Sequence, residues 1–451
     1  MIRFDKEYIA NMLRIALPII AQNSMSSLLN MLDVTMIGQL GESAIAAVGQ
    51  AGQVFFIMLL ILFGINSGVG VFVAQFWGKR DVPNIRKVQG IGLSMGLAAS
   101  LAFWLVAMLV PTQFLSIFSK DPSVIESGTG YLQIIAWSYL PTAVTFSYSA
   151  ALRGVGLVRI PMMVSITAIS IKTLLNYMLI LGNFGAPEMG INGAAIATLV
   201  SRGLEVVALL AIIYLRRLPT AASPKELLGF NRPFLAQVLK TSMPVIINET
   251  LWVLGTVMYN IVYGRISTEA YAAVQIAATI ENLVFVIFIG ISEATGILIG
   301  NRIGANEEQK AFGYARSSVL IVTIGAVLMG FVIYGLSTFV LNFYQISEIA
   351  HRYAQDILRV MAFVLWIKVT NMLLIVGVLR AGGDTRFGLF LDAGSVWLVG
   401  VPLAWIGAFV LNLPVSGVYL LVVCEEFIKM LVGLWRFFSR RWIRNLAKSF
   451  G

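Results

Sequence analysis

Apolar residues run in long stretches along almost the whole chain, and short polar segments rich in Arg, Lys, Gly, Pro and Asn close each one. A helix that crosses a bilayer needs about 20 mainly apolar residues. The spacing predicts twelve such spans, near 13–37, 47–76, 89–111, 129–152, 160–182, 190–215, 238–263, 271–300, 314–343, 352–379, 387–411 and 415–437. Ile91 to Val110 and Ser317 to Leu341 contain no charged residue. The opening MIRFDKEYIANMLR leads into a full-length span, with no short apolar core and small-residue cleavage site, so the first helix is expected in the mature protein.

The basic residues alternate between connections. Lys79, Arg80, Arg86 and Lys87 lie in the second, Arg153 and Arg159 in the fourth, and Arg216, Arg217, Lys225, Arg232 and Lys240 in the sixth. Arg302, Lys310 and Arg316 lie in the eighth, Arg380 and Arg386 in the tenth, and Arg436, Arg440, Arg441, Arg444 and Lys448 in the tail. The odd-numbered connections add Lys120, Arg265 and Arg352 and little else. This is the positive-inside pattern. It places both termini in the cytoplasm of a multi-pass protein, and the short loops suit a bacterial or archaeal plasma (inner) membrane.

Composition agrees. Of 451 residues, 58% are hydrophobic and 12% charged, with a mean hydropathy of +0.86. A soluble domain carries roughly 25% charged residues, which argues against a soluble enzyme. One cysteine, Cys424, and one histidine, His351, exclude a disulfide framework and Cys- or His-built metal centres, so no metal or cofactor is expected. The net charge of +10 is read as a topology signal and not as a nucleic-acid footprint.

The two halves repeat. At an offset of 226, Pro18 matches Pro244, Gly38 matches Gly264, Ala46-Ala47-Val48 matches Ala272-Ala273-Val274, and Gly70 matches Gly296. At 227, Leu152-Arg153 matches Leu379-Arg380, and Arg159 matches Arg386; the register then slips, with Gly193 near Gly417. The expected organisation is a first lobe over 1–218, a cytoplasmic linker over 219–236 and a second lobe over 237–451, inserted in the same orientation. Parallel repeats of this kind are a transporter architecture, with the binding site between the halves near the midplane. Duplication of a purely structural bundle is the plainer alternative.

Polar groups inside spans are costly and mark function. Asn23, Ser26, Asn30 and Asp33 follow one another at helical spacing along the first span and share a face that must look into protein or water. Span five carries Lys172 and Asn176, four apart. Asp33 is the opposite charge available to Lys172 in that half, and pairing favours the charged form of both. Protonating Asp33 would release the pair, which makes a proton-driven switch; the bland alternative is a static buried salt bridge. In the second half, span seven offers Glu249, Trp252 and Tyr259, span eight Glu281 and Glu293, and span ten Lys368 and Asn371. Glu249 with Lys368 is the expected pair, Glu293 the competing partner, and Trp252 and Trp366 could line a cavity. Arg202 with Glu205 and Glu425 with Lys429 are read as structural pairs within one helix. Asp392 has no local partner. GGDTR at Gly382–Arg386 is read as a turn between spans.

No G-x-x-x-x-G-K-[ST] or H-E-x-x-H occurs, so any energy for transport must come from an ion gradient, and the chain is not expected to be an enzyme.

The segments ALPIIAQ (Ala16–Gln22), LDVTMIGQLG (Leu32–Gly41), AQFWGKRD (Ala74–Asp81), ALRGVG (Ala151–Gly156), LNYMLILGNFGAPEMGINGAAIAT (Leu175–Thr198), IGNRIGANEE (Ile299–Glu308) and VLRAGGDTR (Val378–Arg386) occur in this order. With that spacing the chain resembles a multidrug and toxin extrusion (MATE) family transporter along nearly all its length. The resemblance implies an all-α integral membrane protein of twelve helices in two pseudo-symmetric six-helix lobes around a V-shaped central cavity. It also implies export of drugs, organic cations or metabolites in exchange for sodium or protons.

By that resemblance, Asp33 falls on the family's coupling carboxylate in the first helix. Asn176 falls on its span-five Asn or Asp, and Thr198 on its span-six threonine. Lys172 departs from the pattern: sodium-binding relatives usually place an uncharged amide one turn before the Asn or Asp. An ammonium there would occupy the cation site itself, which favours protons over sodium. Span ten departs too, with Lys368 and Asn371 where some relatives carry an acid near Val369. Glu249 lies one turn from an acid that some relatives use. The chain is expected to act as a monomer in the lipid bilayer on a small organic substrate, with no nucleic-acid partner. The alternative is a flippase for lipid-linked saccharides or cell-wall precursors in the same superfamily, disfavoured because mid-span cations are few.

Overall fold

The computed structural model describes residues 6–342, 344 and 346–450. Among the described residues there is no β-strand. The helices are α1 (Lys6–Gly38), α2 (Glu42–Lys79), α3 (Val82–Leu109), α4 (Pro111–Leu115), α5 (Pro122–Ala136), α6 (Tyr139–Gly154), α7 (Arg159–Leu181) and α8 (Gly190–Leu215). They continue as α9 (Pro224–Leu227), α10 (Arg232–Ile266), α11 (Thr268–Gly304), α12 (Glu308–Leu341), α13 (Glu348–Met372), α14 (Thr385–Ser395), α15 (Val401–Phe409) and α16 (Val415–Phe438). Wider π-helical turns, Leu373–Leu379 and Val396–Gly400, extend α13 and join α14 to α15.

Local chemistry sets the ends. Asp81 caps α3 by accepting from the Asn84 amide at 3.2 Å, and Ser267 caps α11 by accepting from the Ala270 amide at 3.0 Å. Ser347 does the same for α13 with the Ala350 amide at 3.2 Å. Arg80 ends α2 in the left-handed region, at φ 62°.

Among the described residues, ten helical stretches are long and apolar enough to cross a membrane. Two of the twelve expected spans fall outside that group, for different reasons. The span expected at 129–152 is broken into α5 and α6 at Trp137–Ser138. Pro141 has no N–H to donate to the Trp137 carbonyl, and the Ser138 hydroxyl instead caps the Ile135 carbonyl at 2.6 Å. The last span, α16, is long but carries Glu425, Glu426 and Lys429 at its centre.

The helices group into two compact units. One comprises Ala21–Leu239; the other comprises Lys240–Gly451 together with the start of α1 up to Ile20. This differs from the boundaries drawn on the sequence, which put all of α1 in the first lobe. The reason is local packing. Tyr8 is buried, its hydroxyl meets Thr295 at 3.3 Å and also Ser318, and its ring lies 4.5 Å from that of Tyr314. Gly290 of α11 leaves room for the backbone of Ala16, where a Cβ would sit 3.3 Å from the carbonyl oxygen.

In the unit Ala21–Leu239 the core is built from Val54, Met58 and Leu62 of α2 with Leu132, Tyr139 and Ala143 of α5 and α6. The linker docks on the start of α3. Arg86 donates to the Pro219 carbonyl at 3.1 Å and to Glu226, and Gln89 donates to the Thr220 carbonyl at 3.4 Å. Gly90 lies against the Leu227 carbonyl so closely that any side chain there would displace it. In the other unit the tail seats on the turn Gly382–Asp384. Buried Trp442 covers Gly382, and Asp384 takes Arg436 and Arg444 at 2.7 Å each. GGDTR is therefore a docking point for the tail as well as a turn.

Candidate functional site

The unit Ala21–Leu239 holds a buried acid–base group that joins two helices. Asp33 lies on α1 and Lys172 and Asn176 lie one turn apart on α7, so their side chains emerge on the same face. Lys172 Nζ sits 2.7 Å from Asp33 Oδ2, and Asn176 Nδ2 donates to Asp33 Oδ1 at 2.7 Å. Both carboxylate oxygens are thus occupied, one by an ammonium and one by an amide. The Asn176 Oδ1 atom is buried with no hydrogen-bond partner.

The other residues expected beside this group are not drawn into it. Thr198 is buried, but its hydroxyl donates to the Ala194 carbonyl of its own helix at 2.9 Å. Ser26 likewise donates to the Gln22 carbonyl at 2.8 Å, and Asn30 is exposed. A second buried pair lies deeper in α8: Arg202 reaches Glu205 at 2.7 Å, and Ser165 of α7 donates to the same carboxylate at 2.6 Å.

In the other unit the expected pairing of Glu249 with Lys368 is not formed. Lys368 of α13 meets Glu281 of α11 at 2.7 Å and donates to the Tyr419 hydroxyl at 3.1 Å. Glu249 of α10 meets Arg380 at 2.7 Å, and Arg380 is only 6% exposed. The sequence favoured Glu249, with Glu293 as its competitor; Lys368 takes Glu281 instead, because packing and not charge decides which acid it faces. Arg380 was assigned to a connection because it follows the tenth span, yet the π-helical turn Leu373–Leu379 delivers it to a buried position.

Asp392, without a partner on its own helix, has one across helices. Lys429 of α16 lies 2.9 Å from Asp392, 2.9 Å from Glu425 and 3.1 Å from Glu426. Each carboxylate spends its other oxygen on a neutral donor. Asn248 Nδ2 donates to Asp392 at 2.9 Å, Asn371 Nδ2 donates to Glu426 at 2.7 Å, and the Tyr259 hydroxyl donates to Glu425. Gly400, in the π-helical turn, has no room for a side chain: a Cβ would meet both Tyr259 and Glu425. Asn371 and Tyr259 were singled out on the sequence; Asn248, Asp392, Glu425, Glu426 and Lys429 join them here, and Glu281 and Tyr419 complete the Lys368 group. Trp252 is half-exposed and lies outside these contacts.

The family is shown by the sequence itself. The MatE family model matches residues 18–178 and again 244–406, two copies that begin 226 residues apart, at Pro18 and Pro244. The chain is a MATE family transporter. Among relatives, it is 26% identical over 438 residues to the "Probable multidrug resistance protein NorM" of Thermotoga maritima, covering 96% of this chain and 92% of that one. It is 28% identical over 414 residues to the NorM protein of Rhizobium meliloti (88% and 85% covered), and 23% identical over 396 residues to the "Uncharacterized transporter YisQ" of Bacillus subtilis (86% and 85% covered). The fold matches solved structures. A MATE crystallised in complex with MaL6 aligns with a TM-score of 0.87 at 18% identity over 98% of both chains. A MOP superfamily transporter from Pyrococcus furiosus aligns at 0.86 and 19%, again over 98% of both.

Proposed function

We propose that the protein exports amphipathic or cationic organic compounds in exchange for protons, with Asp33 as the coupling carboxylate and alternating access as the mechanism. It works in the plasma membrane with both termini in the cytoplasm, as a monomer. The observation that carries this reading is the Asp33–Lys172–Asn176 group. Its acid is buried, its two oxygens have different partners, and its cation is a side chain. Protonating Asp33 removes the counter-charge of Lys172 and one of the two attractions that tie α1 to α7. An ion that reaches Asp33 therefore changes how two helices are held, which is what coupling requires. Lys172 already supplies the positive charge at this carboxylate, so a sodium ion would have to displace it; a proton binds the oxygen directly. The NorM relatives are named as multidrug resistance proteins, which supports organic compounds as the substrate class.

The test is efflux of a fluorescent organic cation from proteoliposomes under a proton gradient or a sodium gradient imposed separately. Proton-driven efflux that Asp33→Asn removes is the expected result. Efflux driven by sodium alone would refute the role given to Lys172. Efflux undiminished in Asp33→Asn would refute the role given to the carboxylate.

A further inference from the structure

The unit that carries α16 presents a charge imbalance that the first unit does not. At the register set by Gly193 and Gly417, which also superimposes Arg216-Arg217 on Arg440-Arg441, Ser201, Arg202 and Glu205 correspond to Glu425, Glu426 and Lys429. At the register of Arg159 and Arg386, Ser165 corresponds to Asp392. In the first unit the result is one acid and one base: Glu205 with Arg202, completed by the Ser165 hydroxyl. In the second, the charges at the two paired positions are reversed, and both serines are replaced by acids. Three carboxylates share the single ammonium of Lys429. Of the neighbouring charges, Lys368 pairs with Glu281 and Arg380 with Glu249, at 2.7 Å each.

The geometry leaves no room for a further cation at the centre. The ammonium has three hydrogens, and three carboxylate oxygens within 3.1 Å take them. Those oxygens are no farther apart than two such contacts end to end, about 6 Å, in a site where Asp392, Glu425 and Lys429 are all buried. Like charges that share a buried site hold a proton between them, because both cannot be ionised at so short a distance without water.

A second observation shows where such a proton would be received. Asn248 and Asn371 are 4% and 2% exposed, and each donates its amide nitrogen to one of these carboxylates. Each leaves its Oδ1 buried without a hydrogen-bond partner. An amide can turn from donor to acceptor by rotating about its terminal bond. Turned over, Asn248 presents Oδ1 to a protonated Asp392, and Asn371 presents Oδ1 to a protonated Glu426. Asn176 stands in the same relation to Asp33. The acid–amide–ammonium grouping therefore occurs once in the first unit and twice around Lys429, where the acids outnumber the base.

We propose that the unit carrying α16 binds a proton of its own at the Asp392–Glu425–Glu426–Lys429 cluster, shared among the three carboxylates, with the carboxyl O–H donating to the Oδ1 of Asn248 or Asn371. The groups that face it are Tyr259 from α10, Asn371 from α13, Asp392 from α14, and Arg380, with Tyr419 and the Lys368–Glu281 pair beyond. This proton is distinct from the one assigned to Asp33, and its test does not depend on transport.

The experiment is infrared spectroscopy of the purified full-length protein, in light and heavy water, in the Asp33→Asn background. The expected result is a deuterium-sensitive carboxylic-acid carbonyl band at neutral pH that disappears as pH is raised. Asp392→Asn, Glu425→Gln and Glu426→Gln should each remove it, because each lowers the excess negative charge by one. Incorporation of isotope-labelled aspartate or glutamate shifts the same band and assigns its residue type without any further substitution. Absence of the band in Asp33→Asn, or its persistence in all three cluster variants, would overturn the proposal. Loss of the band on adding sodium at constant pH would overturn it in favour of a cation site. Asp33→Asn losing export while keeping the band separates failure of this proposal from failure of the coupling assignment.

Discussion

Breaking the Asp33–Lys172 pair has an effect whose size and sign can be worked from its geometry. At 2.7 Å the attraction is worth roughly 6 kcal/mol at an effective dielectric constant of about 20. Desolvation of the two charges offsets much of that, and removing one partner of a buried pair costs about 3–5 kcal/mol, mainly because the other charge is left uncompensated. Lys172→Met strands Asp33, only 8% exposed but still holding the Asn176 amide at 2.7 Å, which puts the loss near the lower end, about 3 kcal/mol. Asp33→Asn strands the ammonium instead and should cost a similar amount. The double variant strands nothing. It should be no less stable than either single variant, whereas additive losses would reach about 6 kcal/mol, so the interaction energy should be about 3 kcal/mol. The assay is thermal unfolding of the four proteins in one detergent, followed by tryptophan fluorescence at a pH where free carboxylates are ionised. A double variant that unfolds at the temperature expected from adding the single losses would show that the two charges do not stabilise each other, and the switch built on them would fail.

Asp33→Asn should keep a folded, monodisperse protein and abolish gradient-driven efflux; normal efflux from proteoliposomes would remove Asp33 from the coupling step. Lys172→Asn should leave an all-neutral amide beside Asp33 and make efflux respond to an imposed sodium gradient, so an unchanged sodium response would show that the lysine is not what selects protons. Lys368→Met should destabilise by about 3 kcal/mol through its stranded partner. Adding Glu281→Gln should recover most of that loss and adding Glu249→Gln should not, an order that unfolding temperatures read directly. On the linker, the Ser223 backbone amide, with Arg86 and the Ser223 hydroxyl, holds the Glu226 carboxyl below its usual value of 4.5. The stabilisation is then complete above that value and is lost as pH falls through the lower, folded-state one. Protease cleavage of the 216–231 segment should accordingly rise on acidification below pH 4.5, and Glu226→Gln should abolish that pH dependence.

Much of the site was legible where the relevant atoms lie on one helix. Arg202 with Glu205 and Glu425 with Lys429 follow from three- and four-residue spacing, because helical periodicity alone brings such side chains together. Asp33 with Lys172 was legible for a different reason: of the two mid-span acids in the first half, Glu205 has Arg202 on its own helix, which leaves Asp33 for the lysine. The second half offers several acids, and charge then does not choose among them. Lys368 takes Glu281 and Glu249 takes Arg380, an outcome set by the rotation and depth of four helices. Asp392 looked unpartnered because its partners, Asn248 and Lys429, are 144 and 37 residues away.

The sequence by itself determined that the chain is a duplicated membrane protein. Run length, charge alternation and the 226-residue repeat are one-dimensional properties, imposed by the thickness and sidedness of a bilayer on every span separately. It also determined the candidate chemistry, since an ionisable group in an apolar run is costly wherever the helix goes. Tertiary structure alone decided which groups meet. It sent the start of α1 into the other unit and wound two π-helical turns. It set Gly400 against Tyr259 and Glu425, and gathered three acids from two helices around one lysine. Each of these depends on how a helix is turned and how closely a neighbour approaches, which the pattern along one chain does not encode.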